Sequence, residues 1–204
     1  WGEDGSELPD AASKAKEANE ILDGLMDFYG PGMVKSFDDC VAWARVKFEE
    51  YFTNKIKQLI FSCPKDMKNA SGAPFWSPPK RFPTVLQFDV NDPVHMNFII
   101  SAANLKAQLY NVPGYKEVRD PEFFKPILAG VMVPAFEPKS GVKIETGDKA
   151  TDEQQAAAAG AMDVEATVTE QVNLKLKQLP DKSGLSGLKV SPMEFEKDDD
   201  TNFH

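Results

Sequence analysis

Pro74, Pro78, Pro79 and Pro83 fall in one short stretch of the sequence, and no helix can run through them. Each lacks an amide hydrogen and fixes its own φ, and each pushes the residue before it towards an extended shape. Phe75, Trp76 and Phe82 sit among these prolines. A stiff, aromatic, extended segment of this kind is expected to lie across a core as a packed strap. The pattern then changes. Asn91-Asp92-Pro93 reads as a helix start, with a capping side chain and a proline in the first turn, where its missing amide hydrogen costs nothing. Met96, Ile99, Ile100, Ala103, Leu105, Ala107 and Tyr110 follow at helical spacing. A strap over 72–86 therefore feeds directly into a buried helix over Asn91–Tyr110, and the rest of the chain is organised around that pair.

Before the strap, Ala11–Tyr29 carries one apolar face, and Gly30-Pro31-Gly32 stops it. Ser36 opens the longest helix, with Asp38 and Asp39 favourable to the dipole in its first turn. Val41, Ala44, Phe48, Tyr51, Phe52, Ile56, Leu59 and Ile60 form its stripe, and it ends near Ser62 before Pro64. At about 26 residues, this helix spans roughly 39 Å. After the strap and its helix, Asp120-Pro121 starts a short helix through Phe123, Phe124, Ile127 and Leu128, and Val164–Leu179 returns to helical spacing. Gly141–Ile144 and Leu188–Phe195 read as short strands. Trp1–Pro9 reads as a disordered lead-in and the alanine-rich Thr151–Asp163 as a mobile surface insertion. The expected fold class is mainly α: a helical domain with a few short strands and long Pro-rich extended segments.

Composition narrows the function. A net charge of −9 argues against nucleic acid and against an anionic membrane surface as partners. No apolar run reaches the roughly 20 residues needed to span a bilayer. The two cysteines, Cys40 and Cys63, form neither a disulfide framework nor a zinc pattern, which suggests a reducing compartment. The chain starts without Met at an acidic, turn-rich segment and stops at Thr201-Asn202-Phe203-His204, so it is expected to be an excised piece of something longer.

Each candidate for chemistry meets a plainer alternative. Cys63 lies past a helix C-terminus, where the dipole opposes a thiolate. Cys40 lies in a first turn, but Asp38 and Asp39 beside it oppose a thiolate as well. His95 and His204 are too far apart for a zinc site, and His95 reads as a capping or packing histidine. Asp198-Asp199-Asp200 reads as a solvated run rather than a metal site. Lys80-Arg81 is a basic pair on the stiff strap of an acidic chain. It suits either docking to an acidic partner or an internal ion pair, while Phe75 and Trp76 read as core. These residues alone amount to a mostly helical domain with no self-contained active site.

Several blocks resemble ubiquitin-activating enzymes. PFWSPPKR, Pro74–Arg81, is similar to that family's PFWSGPKR, with Pro78 in place of glycine. The segments Asp38–Ile60, Phe88–His95, Ala102–Tyr110, Val133–Ile144 and Phe195–His204 are similar to blocks of the same family in the same order. The resemblance implies a parent that adenylates ubiquitin with ATP and magnesium, holds it as a thioester and hands it to a ubiquitin-conjugating enzyme, in cytoplasm and nucleus. It implies that 36–195 is the second catalytic-cysteine half-domain, with 151–163 an insertion. In this reading 1–35 is a lead-in with a poorly matched first helix, and 196–204 is a return crossing towards the parent's adenylation domain. The family's nucleophile lies upstream of these blocks, so no catalytic residue is expected in this chain and no cofactor or metal is expected to be held by it. Asp148 resembles an acidic position near the thioester and is expected to support that site. Phe75, Trp76, Lys80 and Arg81 are expected to serve partner or domain docking. The alternative reading is a non-catalytic protein-interaction module that presents the strap over 72–86, and a more distant one is a stand-alone thiol enzyme using Cys63.

Overall fold

The computed structural model describes residues 11–29, 33–69, 71–140, 142, 164–179, 189–194 and 203. They fall into two units. One holds helices α1 (Ala11–Tyr29) and α6 (Val164–Gln178). The other holds α2 (Phe37–Phe48), a π-helical segment (Glu49–Asn54), α3 (Lys55–Ser62), α4 (Pro93–Leu109), α5 (Pro121–Ala129) and the extended runs between them.

In the first unit α1 packs along α6. Leu22 of α1 is buried, and Lys175 Nζ of α6 donates to Asn19 Oδ1 at 2.8 Å and to Asp23 Oδ1. Ile21, Leu25, Leu174 and Leu176 stay exposed, so the buried seam is narrower than the apolar face of α1.

In the second unit each helix start is fixed by a side chain. Ser36 and Asp39 make a reciprocal capping box: Ser36 Oγ accepts from the Asp39 amide at 3.1 Å, and Asp39 Oδ2 accepts from the Ser36 and Lys35 amides at 2.9 Å each. Partial burial alone would raise the Asp39 pKa; the Lys35 and Ser36 amides and the Ser36 hydroxyl outweigh it and hold the carboxyl below its ordinary value. Asp92 caps α4 through the amides of Val94 and His95, and Asp120 caps α5 through that of Glu122, each followed by proline at the first helical position.

The core forms where α4 and α5 pack on α2. Val41, Phe48, Ile99 and Phe124 are among its fully buried side chains. Phe48 is ringed by Phe52, Phe88, His95 and Phe98, with centroids 4.9–5.7 Å away. Phe37 closes the other end against Tyr115, Phe123 and Phe124. The polar centre is Asn104, which is wholly buried. Its Nδ2 donates to Ile100 O (2.7 Å) and Val118 O (2.9 Å), and its Oδ1 accepts from Tyr115 Oη (2.6 Å) and the Val118 amide (3.2 Å). One amide thereby fastens the chain after α4 back onto it.

Two expectations are corrected. The single long helix from Ser36 to Ser62 is continuous, with αR backbone at Glu49 and Lys55, but it contains a π turn. The buried face therefore steps from Phe48 to Thr53, five residues on, instead of to Phe52. Tyr51 and Phe52, placed on the buried stripe by α spacing, are exposed, and α3 has no buried residue. Thr53 Oγ1 uses its inward position to donate to Leu86 O of the strap at 2.8 Å.

The second correction concerns the strands. Among the described residues there is none, only an isolated bridge between Lys68 and Pro74. The 189–194 run expected to be a strand is irregular, and its polar partners lie at the end of a helix. The Ser191 amide donates to Leu109 O at 2.8 Å, and Asn111 Nδ2 donates to Lys189 O and Ser191 Oγ. Alternating residues specify an extended backbone, but a strand also needs a second strand to form its ladder. Of Gly141–Ile144 only Val142 is described, outside any strand. Trp1–Pro9 and Thr151–Asp163 lie outside the described residues.

Candidate functional site

The strap begins at a tight loop. Asn69 Oδ1 accepts from the Ser71 amide and hydroxyl and from the Ala73 amide, and Gly72 takes φ +83°, which a side chain would resist. The Phe75 amide donates to Met67 O at 2.9 Å. This folds Lys68 back against Pro74 and starts the strap at the C-terminal end of α3.

Trp76 is the anchor. Its Nε1–H is shared between Cys63 O at 2.9 Å and Pro64 O at 3.1 Å, so it satisfies carbonyls that the end of α3 leaves without an intrahelical partner. Its ring meets Phe75 and Phe82 edge-on, at 4.9 and 5.3 Å. Lys80 Nζ lies over the Phe75 ring at 4.2 Å, and Lys65 Nζ over Phe82 at 6.0 Å. Five side chains thus form one ladder in the order Lys65, Phe82, Trp76, Phe75, Lys80. Phe75 is buried, Trp76 and Phe82 are half-buried, and Arg81 is exposed.

Of the residues expected to serve docking, the structure brings Phe75, Trp76 and Lys80 together and leaves Arg81 on the outside. Asp148 lies outside the described residues, as does Asp198–Asp200. Lys65 was missed: the cue in the sequence was a cation just past a helix end, too common a feature to single out.

The two thiols are sealed. Cys40 and Cys63 are both wholly buried. Burial, reinforced by the Asp39 carboxylate and only partly offset by Lys106, pushes the Cys40 thiol up to about 12. Its Sγ donates to Ser36 O at 3.4 Å. Cys63 is the C-cap of α3, with its amide on Leu59 O at 2.8 Å and its carbonyl on Trp76. His95 accepts the Asp89 amide at Nδ1 (3.0 Å) and packs on Phe48 and Phe88, as a capping and packing residue.

Residues 5–204 match a family model described as "Ubiquitin-activating enzyme, SCCH domain". The chain belongs to this family. The ubiquitin-activating enzyme relatives come from distant organisms. The chain is 46% identical over 171 residues to "Ubiquitin-like modifier-activating enzyme 1" of Dictyostelium discoideum, covering 82% of this chain and 16% of that protein. It is 40% identical over 189 residues to "Ubiquitin-activating enzyme E1 2" of Triticum aestivum, covering 92% and 17%. It is 37% identical over 197 residues to "Ubiquitin-activating enzyme E1 1" of Schizosaccharomyces pombe, covering 97% and 18%. The chain thus spans about a sixth of the length of the curated relatives it matches.

Within this ubiquitin-activating enzyme SCCH domain, one polar residue of α3 had no evident role in the sequence. Gln58 pairs with the backbone of Lys139 in both directions: Nε2 donates to Lys139 O and Oε1 accepts the Lys139 amide, each at 2.9 Å. Nε2 also donates to Ser62 Oγ at 3.1 Å. The side-chain amide acts as a one-residue strand partner and fixes the extended run after α5 onto α3. Gln58→Leu is expected to raise hydrogen exchange at the Lys139 amide about tenfold or more while leaving the amides of α4 unchanged. An unaltered Lys139 amide in the variant would show that the pair does not hold the run.

Proposed function

We propose that this chain is the half-domain that shapes the thioester site of an ATP-dependent ubiquitin-activating enzyme. The parent adenylates ubiquitin, carries it on a cysteine outside this chain and passes it to a ubiquitin-conjugating enzyme. The observation that carries this reading is the sealing of both thiols inside a domain of this family. A nucleophile must meet an incoming carbonyl, and neither Cys40 nor Cys63 has exposed surface. A helical wall of this kind helps a thioester by keeping water from it while leaving room for the acceptor thiol. Asp148 is assigned in this reading to orient polar groups near the thioester.

ATP and magnesium belong, in this reading, to other parts of the parent. The described residues offer no group of three or more His, Cys, Asp and Glu side chains placed to hold a metal ion, so no step is derived through one here. A second reading, the strap as a docking surface, is favoured by the exposure of Arg81 beside the aromatic ladder.

The test uses the intact parent with ubiquitin, ATP and magnesium, resolved on a non-reducing gel. A thiol-sensitive, ATP-dependent ubiquitin adduct is expected, and it should survive both Cys63→Ser and Cys40→Ala. Loss of the adduct in a folded Cys63→Ser protein would move the nucleophile into this chain. Absence of any adduct from a folded parent would leave the docking module as the better reading.

A further inference from the structure

We infer that the ladder on the strap is a binding surface for an acidic, aromatic-containing segment of a partner protein, gripped by Lys65, Lys68 and Arg81. The inference deepens the docking reading of the strap given above and rests on it.

The first argument is charge. Between Cys63 and Pro83 the chain carries Lys65, Lys68, Lys80 and Arg81 against the single acid Asp66, in a protein whose net charge is −9. Elsewhere in the same unit, cations such as Arg45, Lys47, Lys57, Arg119 and Lys125 have carboxylate partners. The four strap cations have none among the described residues. Cations left without partners in an acidic chain are suited to carboxylates brought by another molecule.

The second argument is the floor. Lys80 is committed to the Phe75 face, but Lys65, Lys68 and Arg81 are exposed. Lys65 stands over Phe82, Lys68 is bridged to Pro74, and Arg81 directly precedes Phe82. The cations therefore border the half-buried Trp76 and Phe82 rings rather than lying scattered. The floor is also set in advance. Pro78 and Pro79 stiffen it, and the Trp76 indole is fixed on two carbonyls, so little ordering is left to lose on binding. A ring or aliphatic side chain flanked by carboxylates fits both features, and a purely anionic ligand would leave the ring edges unused.

The test is fluorescence anisotropy of a labelled, acetylated peptide alternating glutamate and phenylalanine, titrated with the 204-residue chain. Binding is expected to weaken as salt is raised, and the same peptide with lysine in place of glutamate should not bind. Removing three cations together, Lys65→Ala, Lys68→Ala and Arg81→Ala, is expected to weaken binding about tenfold or more. A charge-matched control at exposed sites elsewhere, Lys14→Ala, Lys116→Ala and Lys189→Ala, is expected to change it less than about twofold. Circular dichroism confirms that both variants stay folded. Equal losses in the two triple variants would overturn the inference, as would no binding of the acidic peptide or equal binding of the lysine peptide. So would a single-stranded oligonucleotide of the same charge binding as well as the peptide. A normal ubiquitin adduct in the gel assay alongside any of these results would remove this surface and keep the thioester reading.

Discussion

Asn104→Leu is expected to destabilise the helical unit by about 3 kcal/mol. Leucine fills a similar volume, so little of this comes from a cavity. The loss comes from the polar groups left behind. Asn104 uses all its hydrogen-bonding capacity, with two donors and two accepted bonds, in a place with no exposed surface. Without it the Val118 amide and carbonyl and the Tyr115 hydroxyl lose their partners. Burial already pushes the Tyr115 phenol above its usual pKa, partly offset by Gln108, which marks how little water reaches it. Asn104→Asp is expected to do no better, because an ionised carboxylate cannot donate to the two carbonyls that Nδ2 now serves. Denaturant unfolding followed by circular dichroism reads both effects. A midpoint for Asn104→Leu within error of the parent's would mean that the network contributes nothing net.

Trp76→Ala is expected to act locally and through a different readout. Removing the indole takes away the shared N–H and both edge contacts that tie the strap to the end of α3. Large-to-small changes of this kind cost about 3 kcal/mol or more. If that cost is met by releasing the strap, the Cys63 thiol should become alkylatable about a hundredfold faster, while Cys40 in the α2–α4 core stays slow. Trp76→Phe keeps ring contacts and loses only the donor, so about 1 kcal/mol and roughly a fivefold acceleration are expected. Mass spectrometry after timed alkylation separates the two cysteines. Equal acceleration at both would mean global unfolding and would refute the local account.

The helices were legible because they are marked twice, by spacing and by caps. Ser36 with Asp39, Asp92 with Pro93, and Asp120 with Pro121 stand where the sequence places helix starts. The strap was legible because prolines exclude every alternative. The strands were misread because Leu188–Phe195 reports only its own backbone. Its partner turned out to be the end of α4, where Asn111 holds a left-handed turn at φ +47° and reaches across to Lys189 and Ser191. The same limit hid Gln58, whose partner is 81 residues away. In the docking region Trp76 and Lys80 could be singled out in advance, but the contribution of Lys65 depends on a chain reversal at Asn69–Gly72 that brings it over Phe82.

The π turn between α2 and α3 sets the phase of everything that follows it on the same axis. Deleting one residue there would let the segment relax to ordinary α geometry at little local cost. It would also rotate α3 by about 100° and draw it back by about 1.5 Å. Gln58 would then face away from Lys139, and the carbonyls of Cys63 and Pro64 would no longer meet the Trp76 indole. One surplus residue thus acts as a setting screw: it belongs to neither contact, yet both stay in register only while it is there.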